Sequence, residues 1–477
     1  MKSTAKKLSD LQAIPLLKQE SLYIGIDIGK VRHVAGFVSL TLLERHQRFE
    51  ACPALAFENS RDGFHALAER IRTLAPFEHC FALLEKTGHY HKALVQYLQE
   101  LDIPVYVMHV QERPKAMMKT DKRDALGLAN TLYNQLALGI QVSDKTQLVR
   151  RDVPPTPAAA QLKGFIRHRY ELVHEATQRK NKLIAICDEV FPEFTRILHD
   201  PNGPTALALR ERFPTPAAFA TASLSALQEV RGKARCISDA RLLELQRLAT
   251  ESIGTKDIVR QRGLVLEQTQ LTRELRLLQE HIAQLESEIT TIVAQARAGR
   301  ILQSLGIGPI QTATVIAAIG SIENFPNAGC LKSYFGWSPT VIQSGSSIDY
   351  SGQTHGGTRT MKQMMFLIVS NLINRDTEWA KLYDRLVKTK CPYDERTGQR
   401  KGKLRIIGRV AGQLIETMYA LLKTDAEVLS KVLPQTTPPE PTLYDPEKHR
   451  QHREGHYQPL KVAARRPVLT LLPYASE

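Results

Sequence analysis

Three absences narrow this sequence before any motif is read. No uninterrupted apolar run approaches the length of a bilayer span, FLIVSNLI at Phe366–Ile373 being about the longest, so a membrane-spanning helix is not expected. The opening MKSTAKKLSDLQAIPLLKQE lacks the apolar core of a secretory signal. The cysteines (Cys52, Cys80, Cys187, Cys236, Cys330, Cys391) contain no Cys-x-x-Cys pair, which argues against a zinc ribbon and a disulfide framework. A soluble, intracellular protein is the expectation.

What is present fits a folded chain with a polyanionic partner. The 477 residues allow roughly two to four domains. A 43% hydrophobic fraction excludes wholesale disorder. Lys+Arg outnumber Asp+Glu by 64 to 49, a net charge of +15, with a pI near 9.5. Such a surplus favours nucleic acid above all, with an anionic membrane surface still open.

Hydrophobic periodicity predicts an N-terminal α/β domain with a mixed sheet. Strands are expected at 22–28 (LYIGIDI), 33–39, 48–52, 80–85 (CFALLE) and 104–110, and helices from Asn59–Ser60 to about Leu74, from Tyr90 to Leu101, and from Thr120. Pro154, Pro155 and Pro157 mark a break, beyond which no strand pattern is read for a long stretch. Residues 160–191 read as a helix basic on one side (Lys163, Arg167, Arg169, Arg179, Lys180, Lys182). From Leu264 a stripe of Leu271, Leu275, Leu278, Ile282, Leu285, Ile289 and Ile292 alternates spacings of four and three, interrupted at Gln268. That pattern predicts a coiled coil, with an ordinary amphipathic core helix as the alternative. LGIGPIQTATVIAAIG (305–320) is similar to a helix-hairpin-helix element, whose N–H groups can meet DNA phosphates. Residues 388–409 hold eight basic side chains against two acids. After Leu433 a Pro-rich, loose tail is expected, with His449, His452 and His456 solvated rather than metal-binding.

The acids fall at informative places. Asp27 and Glu85 end strands, while Asp121 and Asp124, three apart, share one helix face. Burying an uncompensated carboxylate is costly. A divalent cation supplies the compensation, and Mg²⁺ takes hard oxygen ligands while leaving room for phosphate oxygens. Two such ions about 4 Å apart clamp a scissile phosphate. With this strand order the constellation resembles the RNase H/RuvC-type nuclease fold. GIDIGK also resembles the first phosphate loop of actin-like kinases, but the second Asp-x-Gly loop that those need is missing from the chain.

Toward the C-terminus, CLKSYFGWSPTVIQSGSSIDYSG (330–352) is dense in serine and glycine. Ser344 is expected in a loop just past Pro339, where a hydroxyl can be presented to a ligand, although a plain polar turn has the same composition. YIGIDIGKVRHV, ENSRDGF, EKTGHYHKAL, KTDKRDA, SLGIGPIQTATVIAAIG and YFGWSPTVIQSG occur in this order. Together they resemble the DEDD transposases of the insertion sequence family numbered one hundred and ten, the bridge-RNA-guided recombinases. The likeness spans about residues 20–425, and FPEFTRILHDPNGPTALALRERFPTP (191–216) points to the longer subgroup.

The resemblance implies a RuvC-like domain over residues 21–150, after an N-terminal extension at 1–20, that binds Mg²⁺ through Asp27, Glu85, Asp121 and Asp124. A helical and coiled-coil region follows at 151–300, then a mainly helical serine-bearing transposase domain at 301–430 and a tail at 431–477. Ser344 attacks a DNA phosphate and forms a phosphoserine link. A structured noncoding guide RNA pairs with donor and target DNA. Lys163, Arg167, Arg169, Arg179, Lys182, Arg359 and Lys362 are the candidate nucleic-acid contacts, and a dimer or tetramer in the bacterial cytoplasm, at the nucleoid, is implied. Two departures stand out. His109-Val110 replaces the family's Asn-Pro, and Lys362 stands where the family has Arg, which loses bidentate phosphate geometry. Ser346 and Ser347 are neighbouring candidates for the nucleophile. The alternatives are a RuvC-like nuclease hydrolysing branched DNA with water, and a non-catalytic coiled-coil nucleic-acid-binding protein.

Overall fold

A computed structural model describes residues 20–85, 88–108, 120–140, 149–231, 237–344, 348–354, 356–433 and 436–451. Cys236, His109-Val110, Ser346, Ser347, His452 and His456, all named above, lie outside the described residues. The chain divides into two compact units, with the boundary between Pro154 and Pro155. No described helix is long and apolar enough to cross a membrane, and the five described cysteines are free.

The first unit is a mixed sheet covered by helices. Its elements are β1 (Leu22–Asp27), β2 (Arg32–Val38), α1 (Leu40–His46), β3 (Ala54–Glu58), α2 (Arg61–Leu74), β4 (Cys80–Glu85), α3 (Lys92–Glu100), β5 (Val105–Met108), α4 (Asp121–Leu136) and β6 (Val149–Arg151). The sheet order is β3-β2-β1-β4-β5-β6. β1 runs antiparallel to β2 and parallel to β4, and β5 runs parallel to β4 and antiparallel to β6. The third strand differs from expectation. Phe49–Ala51 is a 3-10 turn, and the strand starts only after Pro53, which has no N–H to give a ladder. The short α1, capped by Ser39, and the three-residue edge strand β6 are too short for a periodic pattern to be read in sequence.

Two glycines set the packing. Gly25 of β1 and Gly36 of β2 are paired across the strands, and α4 lies on them. A Cβ on Gly25 would stand 2.1 Å from the Ala125 carbonyl oxygen and 2.2 Å from the Ala129 nitrogen, while one on Gly36 would stand 2.8 Å from the Leu126 nitrogen. The opposite face carries Phe57 and His33, which meet Phe64 of α2, itself 5.5 Å from Tyr97 of α3.

The second unit is mainly helical. A 34-residue helix α5 (Pro157–Val190) leads into α6 (Phe194–Ile197), α7 (Pro204–Arg212), α8 (Pro216–Thr221), α9 (Leu224–Arg231) and α10 (Asp239–Thr250), and then into the 38-residue α11 (Ile258–Gln295). Helices α5 and α11 pair antiparallel, as the ion pairs Arg169–Glu286, Arg179–Glu274 and Glu189–Arg260 require. Much of the predicted stripe is therefore used within the chain. Leu264, Leu271 and Leu275 are buried with Ala176, Leu183 and the short helices, while Ile289 joins a second core with Ala159 and Leu162. Leu278 and Ile282 are only partly buried. The interruption at Gln268 has a partner. Its Oε1 accepts from the buried Arg210 Nη2 at 2.7 Å, and its Nε2 donates to the Arg210 carbonyl at 3.0 Å.

The C-terminal part contains α12 (Arg297–Ser304), α13 (Pro309–Ile319), α14 (Ala328–Tyr334), the hairpin β7 (Pro339–Ser344) and β8 (Ile348–Gln353), α15 (Arg359–Ile373), α16 (Glu378–Lys390), the short hairpin β9 (Tyr393–Asp394) and β10 (Gln399–Arg400), α17 (Lys403–Leu429), and α18 (Pro446–Gln451). The two short hairpins are the strands of an otherwise helical part, the first beginning only at Pro339. Gly306, at φ 88°, turns the chain between α12 and α13. The tail is also corrected, since residues 436–449 are not loose. Tyr444 stacks on the buried Trp379 at 5.8 Å, its N–H donates to Ser304 Oγ, and Arg300 pairs with Glu440 at 2.6 Å. His449 is buried beside both rings rather than solvated.

Gly25→Ala should lower unfolding stability by about 3 kcal/mol or more, because the atoms it meets are helix backbone and cannot rotate away. Urea unfolding of the full chain measures this, and a loss under about 1 kcal/mol would show that α4 does not press on β1.

Candidate functional site

The carboxylate end of the first unit follows from strand register. Ile26 of β1 is paired with Leu84 of β4, so Asp27 and Glu85 are the next residues of adjacent parallel strands. Side chains alternate along a strand, so Asp27 points to the same face as Gly25, the face that α4 covers. Helix α4 runs antiparallel to β1, for its Tyr133 meets Tyr23 edge-on at 5.4 Å while Ala125 and Ala129 lie over Gly25. Its first turn, with Asp121 and Asp124, thus sits at the same end of the sheet as Asp27 and Glu85. Thr120 caps that turn by accepting from the Arg123 N–H at 3.3 Å. Carboxylates in the first turn are also favoured by the helix dipole, a structural role that Asp121 and Asp124 fill in any case.

The four acids gather at one end without closing on a single point. Asp27, Glu85 and Asp124 are half-buried and Asp121 is exposed. Among the described residues, no three His, Cys, Asp or Glu side chains converge as the ligands of one ion. The donor set, all carboxylate oxygen at a partly open edge, fits a hard divalent cation in chemistry. A residue that sequence reading passes over steadies this end. His33 Nδ1 accepts from the Gly29 N–H at 3.2 Å, holding the turn that follows Asp27. Burial lowers the His33 pKa, so the ring stays neutral and keeps that acceptor at neutral pH.

In the second unit Ser344 is the last residue of β7, where it pairs with Ile348. It ends a strand instead of lying in a loop. The β-branched run Thr340-Val341-Ile342 drives β7, and the short Gly-Ser-Ser stretch before Ile348 was the hairpin signal. The base of the hairpin is tightly held. The Thr354 N–H donates to the Ser338 carbonyl at 3.0 Å, and the Thr358 N–H to the Tyr334 carbonyl at 2.9 Å. Gly357, at φ 88°, lies so close to Gly336 that a Cβ there would stand 2.5 Å from the Gly336 Cα. Lys362 donates to the Thr354 carbonyl at 2.8 Å, with its stem along Gly336, and so braces β8. Arg359, in the first turn of α15, is exposed. Lys332 and Glu416, 84 residues apart, form an ion pair tying α14 to α17.

The basic face of α5 is divided. Lys163, Arg167 and Lys182 are exposed, whereas Arg169 and Arg179 are engaged with Glu286 and Glu274 of α11, Arg169 through two bonds of 2.5 and 2.8 Å. An open groove of about 610 Å³ between α5 and α11 is lined by His168, His281, Gln284, Leu285, Ser287 and Glu288, and contains none of the predicted site residues.

Comparison with known proteins agrees with this organisation. Residues 24–192 match the family model of DEDD transposases of IS110, and residues 298–384 match the model described as Transposase IS116/IS110/IS902 family. The "Insertion element IS110 uncharacterized 43.6 kDa protein" of Streptomyces coelicolor is 27% identical over 317 residues, covering 64% of this chain and 71% of that protein. The "Insertion element IS116 uncharacterized 44.8 kDa protein" of Streptomyces clavuligerus is 24% identical over 236 residues, covering 47% of this chain and 57% of that protein. The matches define a transposase, an enzyme that cleaves and rejoins DNA. The chain belongs to the IS110 family of DEDD transposases.

Gly357→Ala should force the base of the serine hairpin apart, combining a strained φ with a backbone clash, and cost about 1–3 kcal/mol. A melting temperature equal to that of the native chain would show that the Gly336–Gly357 contact does not hold the hairpin.

Proposed function

We propose that this transposase is a site-specific DNA recombinase that moves a mobile element by serine attack assisted by Mg²⁺. The observation that carries the reading is the gathering of Asp27, Glu85, Asp121 and Asp124 at one end of a sheet ordered β3-β2-β1-β4-β5-β6, which supports a RuvC-like catalytic domain. The placement of Ser344 at the turn end of a hairpin braced at its base supports its role as the nucleophile. Asp27, Glu85, Asp121 and Asp124 would hold the metal, two Mg²⁺ ions per site. When bound, the metal supplies positive charge for a phosphate and lowers the pKa of a coordinated oxygen.

Ser344 Oγ forms a bond to phosphorus and gives up its proton, while a bridging P–O bond of the DNA breaks and the departing oxygen takes a proton. A hydroxyl hydroxyl group is a poor nucleophile unaided, so this step needs a base or a metal at hand. The phosphoserine keeps the energy of the phosphodiester, and attack by the hydroxyl of another strand reseals the DNA and frees Ser344. Sequence choice is delegated to a structured noncoding guide RNA that pairs with donor and target DNA. The exposed Lys163, Arg167 and Lys182 of α5, Arg359 of α15, and the glycine turn between α12 and α13 are the contacts proposed for nucleic acid. Arg169 and Arg179 serve chiefly to join α5 to α11. Recombination joins two duplexes, so at least two copies must meet; the half-buried Leu278, Ile282 and Leu285 of α11 are the proposed contact.

Incubation with cognate DNA, co-purifying RNA and Mg²⁺ should give a covalent protein–DNA adduct resistant to denaturant. Ser344→Ala should abolish it. Strand cleavage that persists in Ser344→Ala would instead mark a nuclease using water. Asp27→Asn should abolish cleavage at millimolar Mg²⁺ while leaving RNA affinity within a few fold, because it removes an anionic donor and not a phosphate-facing cation. Full activity in Asp27→Asn would refute the carboxylate site.

A further inference from the structure

The hairpin that joins α16 to α17 lies beyond the segment matched to the transposase family, which ends at residue 384. Its own architecture uses few of its charges. Asp394 accepts from the Thr397 hydroxyl and pairs with Lys401 at 2.7 Å. Arg400 donates to the carbonyls of Lys388 and Cys391 at 3.2 and 2.8 Å and covers the ring of Tyr393. These contacts fold the hairpin and fix its ends on α16.

Six cations remain beyond that need. Lys388, Lys390, Arg396, Lys403, Arg405 and Arg409 are all exposed, and none forms an ion pair among the described residues. Glu395, also exposed, is the one other acid from 388 to 409. Lys403 and Arg405 stand in the opening turns of α17, whose first turn has no acid. Cations at the positive end of a helix are electrostatically unfavourable, so this arrangement does not serve the fold. An external polyanion would relieve both the mutual repulsion and the dipole term.

We propose that this hairpin and the adjoining helix ends form a clamp for the sugar-phosphate backbone of duplex DNA. Exposed cations on a short protruding ribbon suit phosphates, which carry no sequence information. A membrane is disfavoured, since Tyr393 and Leu404 are the only exposed large apolar residues of the patch and make no apolar face. DNA is the occupant because the chain acts on DNA. The inference rests on that activity alone and is independent of Ser344, of the metal and of a guide RNA.

The test is binding of the full-length protein to a labelled random-sequence DNA duplex in EDTA, followed by anisotropy at several salt concentrations. Changing Lys390→Gln, Arg396→Gln, Lys403→Gln and Arg405→Gln together should lower the slope of log affinity against log salt by about 3 to 4. The loss should be equal on unrelated duplex sequences, and the melting temperature should be unchanged. An unchanged slope would overturn the proposal, as would a change seen only with RNA or only with one DNA sequence. Should the fourfold variant melt early, Arg396→Gln alone, at the hairpin tip and touching no core residue, should lower the slope by about 1. A full slope in that variant would likewise overturn it.

Discussion

Helix α4 lies on β1 and β2 at a distance that no side chain allows. Any Cβ at Gly25 would stand 2.1 Å from a helix carbonyl, and one at Gly36 would meet the Leu126 backbone below 3 Å. That contact decides where the chemistry of the first unit can be. It fixes the helix along β1 and presents its N-terminal turn at the carboxyl ends of β1 and β4, where Asp27 and Glu85 emerge side by side. Because α4 is antiparallel to β1 and β4, the positive end of its dipole faces the same acids. A helix laid in the other direction would bring its negative end there and repel them.

The second unit is organised by a different constraint, the pairing of two long helices. An isolated stripe of leucines does not choose its partner, and the choice here is made by charges and one buried polar group. Three ion pairs between α5 and α11 step along both helices in opposite directions, so that only the antiparallel register satisfies all of them. Each exposed pair contributes little energy, yet together they exclude other registers. Arg210 is more costly to misplace. Its guanidinium is buried, with bonds to Gln268 and to the carbonyls of Leu183 and Pro201. Gln268 interrupts an apolar stripe because a short helix delivers this arginine to it, and a leucine there would strand the guanidinium without its acceptor.

Much of this was legible from residue types alone. Strands β1 and β4, the capped starts of α2 and α4, and the placing of Asp27, Glu85, Asp121 and Asp124 at element ends all follow from hydrophobic period and capping residues. What escaped depended on contacts distant in sequence. The strand β6 exists because β5 offers an edge, not because VRR is a strand sequence. His33 reads as a strand residue until the Gly29 N–H is seen to reach its ring. Residues 436–449 have the composition of a tail, but Tyr444 and His449 find the face of Trp379, and composition cannot show that partner. The leucine stripe was visible, while its antiparallel partner within the same chain was set by α5, almost a hundred residues upstream.

The two candidate sites differ in how firmly the fold can hold them, and this bears on how each can work. The acids stand at the end of a six-stranded sheet, on its central strands β1 and β4, which are buried along nearly their whole length. Such a platform keeps charges fixed while a substrate changes, as electrostatic stabilisation requires. Ser344 stands on a ribbon of two strands, which alone would be marginal in water. The ribbon gains its order from its base, through the Gly336–Gly357 contact and the Lys362 bond to the Thr354 carbonyl. Lysine suits this task, since its slender stem lies along Gly336 and delivers one ammonium to one carbonyl, whereas a guanidinium is a broad, planar fork of donors. Lys362 thus acts on the serine ribbon at its base, while Arg359, one turn earlier on α15, is exposed.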